Sequence, residues 1–415
     1  MAKIGLLDCN NFFVSCERLF RPDLVKKPVA VLSSNDGCIV ARSQEVKDMG
    51  IPMGLPLFQA KQLCDTSSIT FFSSNFTLYR DISARVMRTL ATEVGVCDVY
   101  SIDEAFFALS DDIGDTDIQH IRDRVIQNVG IPVSIGVADT KTLAKQASRF
   151  AKKGDGVRVL RAEDWEKESK EVSCSSIWGL GRATVTKLAT QNIHTADDFM
   201  QLPRSFVRKN LGVAGERVFD ELHGVVVHSL GDHSDDVQQS ITSTRSFAKT
   251  TNTLSELESA VTYHTMQCAK KLREKELLCT RVYLEMHASR HSDFGARKGG
   301  VEIHLDGATD VTQELLSAIL PNVRALFESE VPYKKAGIVL SGLVPTSYRT
   351  HSLFESGNTR EKNILDQVSD TLQDMFGWDA LHLASVLPSR DKSSSLLRSK
   401  AYTTNWGDIP SVQTK

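Results

Sequence analysis

Two stretches of this chain resemble the same layout, strand–helix–strand–strand–helix–strand, although their sequences do not repeat and the first contains further elements besides this core. The first stretch, residues 3–160, is interrupted at 21–77 by a segment rich in Pro, Gly, Ser and Asn. The second stretch, residues 240–343, is continuous. Each order is that of a split β-α-β-β-α-β unit. Because 415 residues also exceed what one hydrophobic core usually covers, we expect an α+β chain of three or four domains.

The bounds of the predicted elements follow from apolar periodicity and turn residues. In the first stretch the strands are 3–8, 96–101, 105–109, 133–138 and 157–160, and the helices are 10–19, 78–92, 116–129 and 141–152. In the second stretch the strands are 241–248, 279–287, 300–305 and 335–343, and the helices are 254–275 and 309–328. Residues 165–235 predict short helices, and the polar segment 231–239 predicts a linker.

The last part of the chain is polar from residue 345 and then predicts a helix at 360–376. The apolar residues on one face of that helix are Ile364, Leu365, Val368, Leu372, Met375 and Phe376. Such a stripe is typical of core packing or of a docking surface.

Composition excludes several classes of protein. No apolar stretch approaches the length of a membrane span, and the apolar run at 4–7 is too short for a signal peptide. The eight cysteines are scattered without a C-x-x-C pair, which argues against a disulfide framework and structural zinc and favours a reducing cytosol. The net charge of −3 gives no overall sign of nucleic-acid binding, so any affinity for DNA must come from local basic patches.

Two acidic positions far apart in the chain predict a metal site. Asp8 ends an apolar run, and Asp103 and Glu104 lie between two others. Carboxylates are costly among apolar neighbours unless a cation compensates them. Adjacent strand residues point to opposite faces, so Asp103 and Glu104 can share a site only at a turn or a strand end. Three carboxylates facing one space suffice for two Mg²⁺ ions, although Asp-Glu pairs are more often simply solvated.

The helix predicted at 141–152 carries a row of positive charges. The residues of this row are Lys141, Lys145, Arg149, Lys152 and Lys153. A solvated helix face would usually mix signs, and no acid lies between the first and third members of the row. A polyanion, either a nucleotide triphosphate or a nucleic-acid backbone, is therefore the favoured partner.

Two further patterns indicate contact with nucleotides or DNA. Gly179 and Gly181, followed by Arg182, lie between helical segments as in half of a helix-hairpin-helix, where backbone N–H groups approach a phosphate, although most such glycine pairs are ordinary turns. Phe12 and Phe13 follow Asp8 closely. We expect one ring in the core and the other facing the metal site, where it could stack on a sugar.

Many short motifs occur in one consistent order and spacing. They lie at 7–13, 35–42, 72–75, 101–105, 140–145, 151–153, 245–247, 333–337 and 401–404. Together they resemble the Y-family translesion DNA polymerases, and several of them resemble the UmuC-type branch, the catalytic subunit of bacterial DNA polymerase V. The resemblance covers essentially the whole chain.

The resemblance implies a right-hand polymerase with a ferredoxin-like palm, small fingers, a helix-hairpin-helix thumb and an α+β little finger. The implied domains are the palm at 1–20 and 78–164, the fingers at 21–77, the thumb at 165–232, the little finger at 240–345 and a partner-binding tail at 346–415. The implied activity is error-prone, template-directed nucleotidyl transfer to a primer 3′-hydroxyl in the SOS response to DNA damage. A cytoplasmic, nucleoid-associated protein is expected.

The resemblance also assigns roles within the palm. Asp8, Asp103 and Glu104 would bind two Mg²⁺ ions with the Cys9 carbonyl, and Ser101 would lie beside the metals. Deoxynucleoside triphosphate (dNTP) is the implied substrate.

Other implied roles concern the nucleotide and the DNA. Phe13 matches the steric gate against a 2′-hydroxyl, where many members of this branch have Tyr, and Lys152 matches a lysine that contacts the triphosphate. Gln44 and Lys47 stand where other branches have Tyr and Arg contacting phosphates. The residues expected to contact primer–template DNA are Lys141, Lys145, Gly179, Gly181, Arg182 and Arg245.

The implied partners are a sliding clamp, a processed UmuD-like dimer and a RecA filament. Ser352, Leu353 and Phe354 resemble the end of a clamp-binding peptide, with Thr350 where the usual leading Gln would be. The tail is expected to dock the UmuD-like dimer, unless its apolar stripe packs back on the little finger. Two other functions stay open, a two-metal nuclease and a non-catalytic DNA-binding repair protein.

Overall fold

The computed structural model describes residues 3–63, 66–111, 113–231, 238–289, 298–348, 359–386 and 397–409. The chain divides into two compact units. The first comprises Met1–Asp235 together with Ser395–Lys415, and the second comprises Asp236–Ser394. Among the described residues, no helix combines the length and the apolar character that crossing a membrane requires. The described cysteines are all free thiols, as expected from their scattered spacing.

The first unit is built on a five-stranded sheet and a smaller three-stranded sheet. Its strands are β1 (Lys3–Cys9), β2 (Val29–Leu32), β3 (Ile39–Arg42), β4 (Thr70–Ser73), β5 (Cys97–Val99), β6 (Glu104–Leu109), β7 (Val133–Ala138) and β8 (Val157–Val159). The large sheet has the order β5-β6-β1-β7-β8, in which β1 is antiparallel to both of its neighbours. The small sheet has the order β3-β2-β4 and its own apolar core, so the predicted insert at 21–77 is a subdomain.

The first unit contains ten α-helices among its described residues. They are α1 (Phe12–Phe20), α2 (Gln44–Asp48), α3 (Leu57–Leu63), α4 (Phe76–Val94), α5 (Asp115–Val129), α6 (Lys141–Ala151), α7 (Ala162–Glu168), α8 (Arg182–Ala189), α9 (Ala196–Met200) and α10 (Arg204–Leu222). Helices α2 and α3 pack with the small sheet. Leu7 belongs to a core shared with α1, α4 and α5, whereas Leu6 belongs to a core shared with α6 and the helices after it. Because β1 is buried on both faces, Asp8 near its end enters an enclosed environment.

Helix α6 lies unusually close to the sheet because β7 contains a glycine. A Cβ atom at Gly136 would lie 1.9 Å from the Ser148 backbone nitrogen and 2.6 Å from the Ala144 carbonyl oxygen. Thr140 caps the start of α6 by accepting a hydrogen bond from the Leu143 N–H. Together these features fix the position of the helix that carries the basic row.

The second unit has the order predicted for it. It contains β9 (Ser240–Thr251), α11 (Leu254–Glu274), β10 (Leu277–Ala288), β11 (Lys298–Thr309), α12 (Thr312–Leu326), β12 (Tyr333–Pro345) and α13 (Thr359–Phe376). The four strands form an antiparallel sheet in the order β11-β10-β12-β9, and α11 and α12 share its apolar core. The α+β prediction is confirmed, and the observed element bounds differ from the predicted ones by a few residues at most.

The alternative that the stripe of α13 packs back on its own unit does not hold for the described residues, because the opposite face of the helix makes that contact. Arg273 of α11 forms ion pairs with Asp370 at 2.7 Å and Asp366 at 3.2 Å. Asp366 also accepts a hydrogen bond from the N–H of Thr312, the first residue of α12. Lys270 pairs with Asp374. The apolar stripe is left largely exposed.

The region predicted as a single tail at 346–415 is divided between the two units. Helix α13 belongs to the second unit, whereas residues 397–409 belong to the first, where Arg398 pairs in parallel with Ser73 of β4. No sequence pattern indicates that residues 397–409 pack against the first unit, because this segment has no clear apolar periodicity.

Replacing Gly136 by Ala should destabilise the first unit, because the added methyl group would overlap the backbone of α6. We expect a loss of about 3 kcal/mol in the free energy of unfolding, the upper part of the usual range for overpacking. Gly181→Ala is the matched control, since a Cβ there meets nothing within 4 Å. Thermal unfolding of the two full-length variants measures the difference, and equal melting temperatures would contradict this account of the β7–α6 contact.

Candidate active site

The predicted acidic residues come together at one end of the large sheet. Asp8 and Glu104 are direct partners in the antiparallel pairing of β1 with β6. Asp103 lies in the bend just before β6, and its carbonyl accepts a hydrogen bond of 2.9 Å from the Cys9 N–H. The chain bend at residues 101–103 is the distorted strand end that two adjacent acids need in order to serve one site.

Each of these carboxylates already has a partner within the chain. Lys152 lies 2.5 Å from Asp8, Lys145 lies 3.0 Å from Glu104, and the Ser101 hydroxyl donates to Asp103 at 2.6 Å. As they stand, no three His, Cys, Asp or Glu side chains in the described part of the chain converge as metal ligands. Two ammonium groups therefore compensate the acidic cluster here.

The electrostatics of the cluster nevertheless suit a divalent cation. Burial raises the pKa of Asp8 above its usual range, the Lys152 ammonium opposes that rise, and Glu104 adds to it. Carboxylate oxygens are the hard ligands that Mg²⁺ prefers. The donor set of Asp8, Asp103 and Glu104 thus fits the predicted metal, whose positive charge would relieve the repulsion between the acids.

The basic row on α6 is balanced by acids from neighbouring strands rather than left open. Lys141 is buried and lies 2.9 Å from Asp98 of β5, so its ammonium does not face solvent. Arg149 donates to the Ser176 carbonyl at 2.9 Å. The expected contact of Lys141 with DNA is therefore corrected, because a side chain this enclosed cannot present its charge to a phosphate.

A second group of cations lies beside the acidic cluster. Lys47 donates to the Asn11 side chain at 2.6 Å, which ties α2 to the loop after β1. Burial lowers the pKa of Lys47, and the positive charges of Arg42 and Lys152 lower it further. Sequence reasoning included Arg42 in a motif but gave it no role. Three mutually repelling cations so close together are typical of a site for a multiply charged anion.

Gln44 has a different environment from the one expected of a phosphate contact. Its side-chain amide donates to Asp48 at 2.7 Å, one turn along the same short helix. The predicted phosphate contact by Gln44 stays a prediction.

The two phenylalanines after Asp8 differ in burial, and the expectation that one of them faces the metal site stays a prediction. Phe12 is buried. Phe13 stacks on Tyr79 with ring centroids 4.5 Å apart and planes 13° apart, and Phe76 meets the Phe13 ring edge-on at 5.7 Å. The position of Phe13 therefore depends on two aromatic residues of α4.

A cavity of about 310 Å³ adjoins the acidic cluster within the first unit. Its lining includes Asp8, Glu104, Lys145 and Lys152 as well as Trp178. The Lys145 ammonium lies 5.2 Å from the centroid of the Trp178 ring, a cation–π contact. Sequence reasoning missed Trp178, although it directly precedes the glycine pair that it singled out.

The predicted phosphate-binding glycines differ in their constraints. Gly179 has a φ of +92°, and a Cβ there would lie 2.5 Å from Val218, so both backbone and packing require glycine. Gly181 precedes α8, whose first turn has no side-chain cap, and Arg182 is exposed there. Arg245 is exposed on β9 of the second unit. The clamp-like residues Ser352, Leu353 and Phe354 lie outside the described residues.

Comparison with known proteins gives a consistent result along the chain. The model of the impB/mucB/samB family matches residues 7–149, and the model of that family's C-terminal domain matches residues 238–353. Protein SamB of Salmonella typhimurium is 33% identical over an alignment covering 99% of each chain. Protein UmuC of the same organism is 32% identical and covers 99% of this chain and 100% of its own.

More distant relatives agree. A DNA polymerase IV of Oceanobacillus iheyensis is 32% identical over 53% of each chain. Among solved structures, a Y-family DNA polymerase chimera, Dbh-Dpo4(243-245)-Dbh, superposes with a TM-score of 0.68 at 17% identity, covering 83% of this chain and 99% of its own. That likeness establishes the fold.

Replacing Lys141 by Met should reduce stability rather than DNA affinity, because it leaves the Asp98 carboxylate buried without its ammonium partner. We expect a loss of about 3 kcal/mol in the free energy of unfolding, which the double variant Lys141→Met with Asp98→Asn should partly restore. Lys153→Met, on an exposed lysine of the same row, is the control. Urea unfolding and DNA binding by anisotropy measure the two effects. A stable Lys141→Met protein with weakened DNA binding would show that the row acts as first predicted.

Proposed function

We propose that this chain, which belongs to the impB/mucB/samB family, is a translesion DNA polymerase that extends a primer past damage on a DNA template. The observation that carries the proposal is the meeting of Asp8, Asp103 and Glu104 at one strand end, in a chain with the fold of a Y-family polymerase. Lys152, a cation suited to a triphosphate, lies beside Asp8 at the same strand end. The error-prone character and the SOS context are part of the proposal and rest on the UmuC-type relatives.

The three carboxylates would hold two Mg²⁺ ions, with the Cys9 carbonyl oxygen as a further ligand. Bound there, the metal supplies positive charge that makes the primer 3′-hydroxyl a better nucleophile and stabilises the leaving pyrophosphate. Ser101 holds the Asp103 carboxylate in place through its hydroxyl. Loading would exchange the ammonium partners of Asp8 and Glu104 for metal, which frees Lys152 and Lys145 for phosphate oxygens.

The triphosphate of the incoming dNTP would lie against Lys47, Lys152 and Arg42. Burial and the positive charges of Arg42 and Lys152 lower the pKa of Lys47, and the phosphate charge would relieve the repulsion between these cations. Asn11, which accepts from Lys47, connects this cation to the loop between Asp8 and Phe13. Binding of the triphosphate is thereby coupled to the position of the residues that hold the metal and the sugar.

Phe13 would act as the gate against ribonucleotides. Its ring lies on α1 just after the loop that follows Asp8, and the stack with Tyr79 limits how far it can retreat. A side chain held in this way can exclude a 2′-hydroxyl through its volume alone.

Template and primer would be held by contacts that carry no sequence information. Backbone N–H groups at Gly179 and Gly181, with Arg182, would contact phosphates from the first unit, and Arg245 would do so from the second. Lys145 is the remaining candidate on α6. A nucleoid-associated location follows from a DNA substrate.

Partner proteins complete the proposal. The exposed stripe of α13 would bind a processed UmuD-like dimer, a RecA filament would activate the assembly, and the motif at 352–354 would engage a sliding clamp. The exposure of the stripe supports the binding of the UmuD-like dimer. The side chains of Leu365 and Phe376 are 68% and 69% exposed, while Arg273 binds the acidic face of the same helix. An exposed apolar stripe of this kind favours an interaction surface.

Asp103→Asn should lower primer extension by about 100-fold or more, because it removes one charge that binds the metal while preserving shape. Folding and DNA binding should change little. Asp123→Asn, on the exposed face of α5, is the control and should extend normally. Primer extension with dNTPs and Mg²⁺ also separates the alternatives, since a nuclease would shorten the primer and a DNA-binding protein without activity would leave it unchanged. Near-normal primer extension by Asp103→Asn would contradict the assignment of Asp103 as a metal ligand.

Changing Leu365 and Phe376 together to Asp should abolish co-purification with the UmuD-like dimer without unfolding α13, because neither residue takes part in the ion pairs to Arg273. A truncation before α13 would be a poorer test, since it would also strip Arg273 of both its acidic partners. Val96→Asp, which charges a residue 84% exposed in the first unit, is the control. Full affinity of the double variant for the dimer would assign the docking surface elsewhere.

A further inference from the structure

Two segments more than 300 positions apart, residues 72–75 and residues 397–409, contact each other in the first unit. Residues 397–409, here called the C-terminal strap, begin with a single parallel bridge between Arg398 and Ser73 of β4, an edge strand of the small sheet. The Ser73 N–H donates to the Leu397 carbonyl at 3.1 Å, and the Leu397 N–H donates to the Ser73 hydroxyl at 3.2 Å. Neither β4 nor the C-terminal strap has a role in the polymerase chemistry proposed above.

Asn75 forms hydrogen bonds with the strap and is also the N-cap residue of helix α4. Its side-chain amide donates to the Ser399 hydroxyl at 3.0 Å and to the Lys400 carbonyl at 3.3 Å. Its side-chain oxygen accepts from the Leu78 N–H, which caps the helix. The helix that carries Tyr79 and Phe76 therefore begins at a residue that the strap holds.

A buried carboxylate continues the connection towards the proposed gate. Glu17 is fully buried, and its Oε1 atom accepts from the Ser399 hydroxyl at 3.1 Å and from the Tyr79 hydroxyl at 2.7 Å. Its other oxygen, Oε2, has no hydrogen-bond partner among the described residues. A carboxylate this enclosed depends on the few donors that it has, so the loss of one should loosen the group. The Tyr79 ring in turn stacks on Phe13.

The strap also holds the far end of α1, the helix on which Phe13 lies. Tyr402 stacks on Phe20 with centroids 4.6 Å apart and planes 10° apart. Inside the strap, Asp408 accepts from the Ala401 N–H at 3.1 Å and gives the segment its own internal turn. Contacts at Glu17 and Phe20 fix two positions along α1.

We propose that the C-terminal strap is a positioning element for sugar selection, in which Ser399 holds Glu17, Glu17 holds Tyr79, and Tyr79 supports the ring of Phe13. The inference rests on the proposed role of Phe13 as the gate. None of Ser399, Glu17 or Tyr79 contacts the substrate in this scheme. The strap acts by limiting the retreat of a ring whose volume excludes the 2′-hydroxyl.

The test uses the full chain and single-nucleotide primer extension with matched ribo- and deoxyribonucleotides. Ser399→Ala and Tyr79→Phe each remove one hydroxyl from Glu17 and keep the surrounding shape. We expect each to lower discrimination, measured as the ratio of kcat/KM for dNTP to that for rNTP, by about 3- to 10-fold, the equivalent of one hydrogen bond. The kcat for dNTP should change by less than about 3-fold, because neither residue touches the reacting atoms.

Three further variants make the result specific. Ser399→Thr keeps the hydroxyl and should retain discrimination. Trp406→Ala, in the same strap but 91% exposed, should leave it unchanged. Combining Ser399→Ala with Tyr79→Phe should cost less than the two single losses together, since both act through one carboxylate.

The outcomes separate this inference from the function on which it rests. Normal discrimination in Ser399→Ala, alongside reduced discrimination in Phe13→Ala, would overturn the strap's role and keep the gate. Equal losses of ribo- and deoxyribonucleotide incorporation in Ser399→Ala would reduce the strap to a structural support and also overturn it. Absence of extension by the wild-type protein would overturn the proposed function and the inference together.

Discussion

The ion pair between Asp8 and Lys152 depends on how β1, β7 and α6 pack together in the first unit. Asp8 lies near the end of a strand buried on both faces, where a carboxylate is costly without a cation. Lys152 reaches it because α6 lies against β7 at Gly136, with no side chain between helix and strand. Packing thus places a positive charge beside an acidic cluster. The same geometry would let that charge turn to a phosphate once a metal compensates Asp8.

The order of elements and the position of the acids were predictable because they depend on local patterns. Apolar periodicity places β1, β6 and β7, and two adjacent acids between apolar runs require a bend, which the structure has at residues 101–103. The burial of one of the two adjacent phenylalanines, Phe12, follows from the same reasoning. These features need no knowledge of which residues meet across the fold.

The features that sequence reasoning missed all depend on contacts between distant segments. The basic row lacks acids within its own helix, yet Asp98 and Glu104 reach it from separate strands. The stripe on α13 left core packing and docking open, and only the structure shows that Arg273 of α11 binds the acidic face of this helix. A helical period identifies the two faces of a helix without saying which one a buried arginine will attract.

Helix α13 and the C-terminal strap contact their respective units in different ways. Helix α13 binds its unit through charges and leaves its apolar stripe outside, whereas the strap inserts a hydroxyl and an aromatic ring at Glu17 and Phe20. The strap's hydrogen bonds are directional, and they reach the Glu17 carboxylate, whose Oε2 atom has no partner in the part of the chain that the structure describes. Such a group tolerates little displacement, since each lost donor leaves buried charge less compensated. The Tyr79 ring that stacks on Phe13 is therefore held, through Glu17, by a residue of the N-terminal helix α1 and by Ser399 of the C-terminal strap.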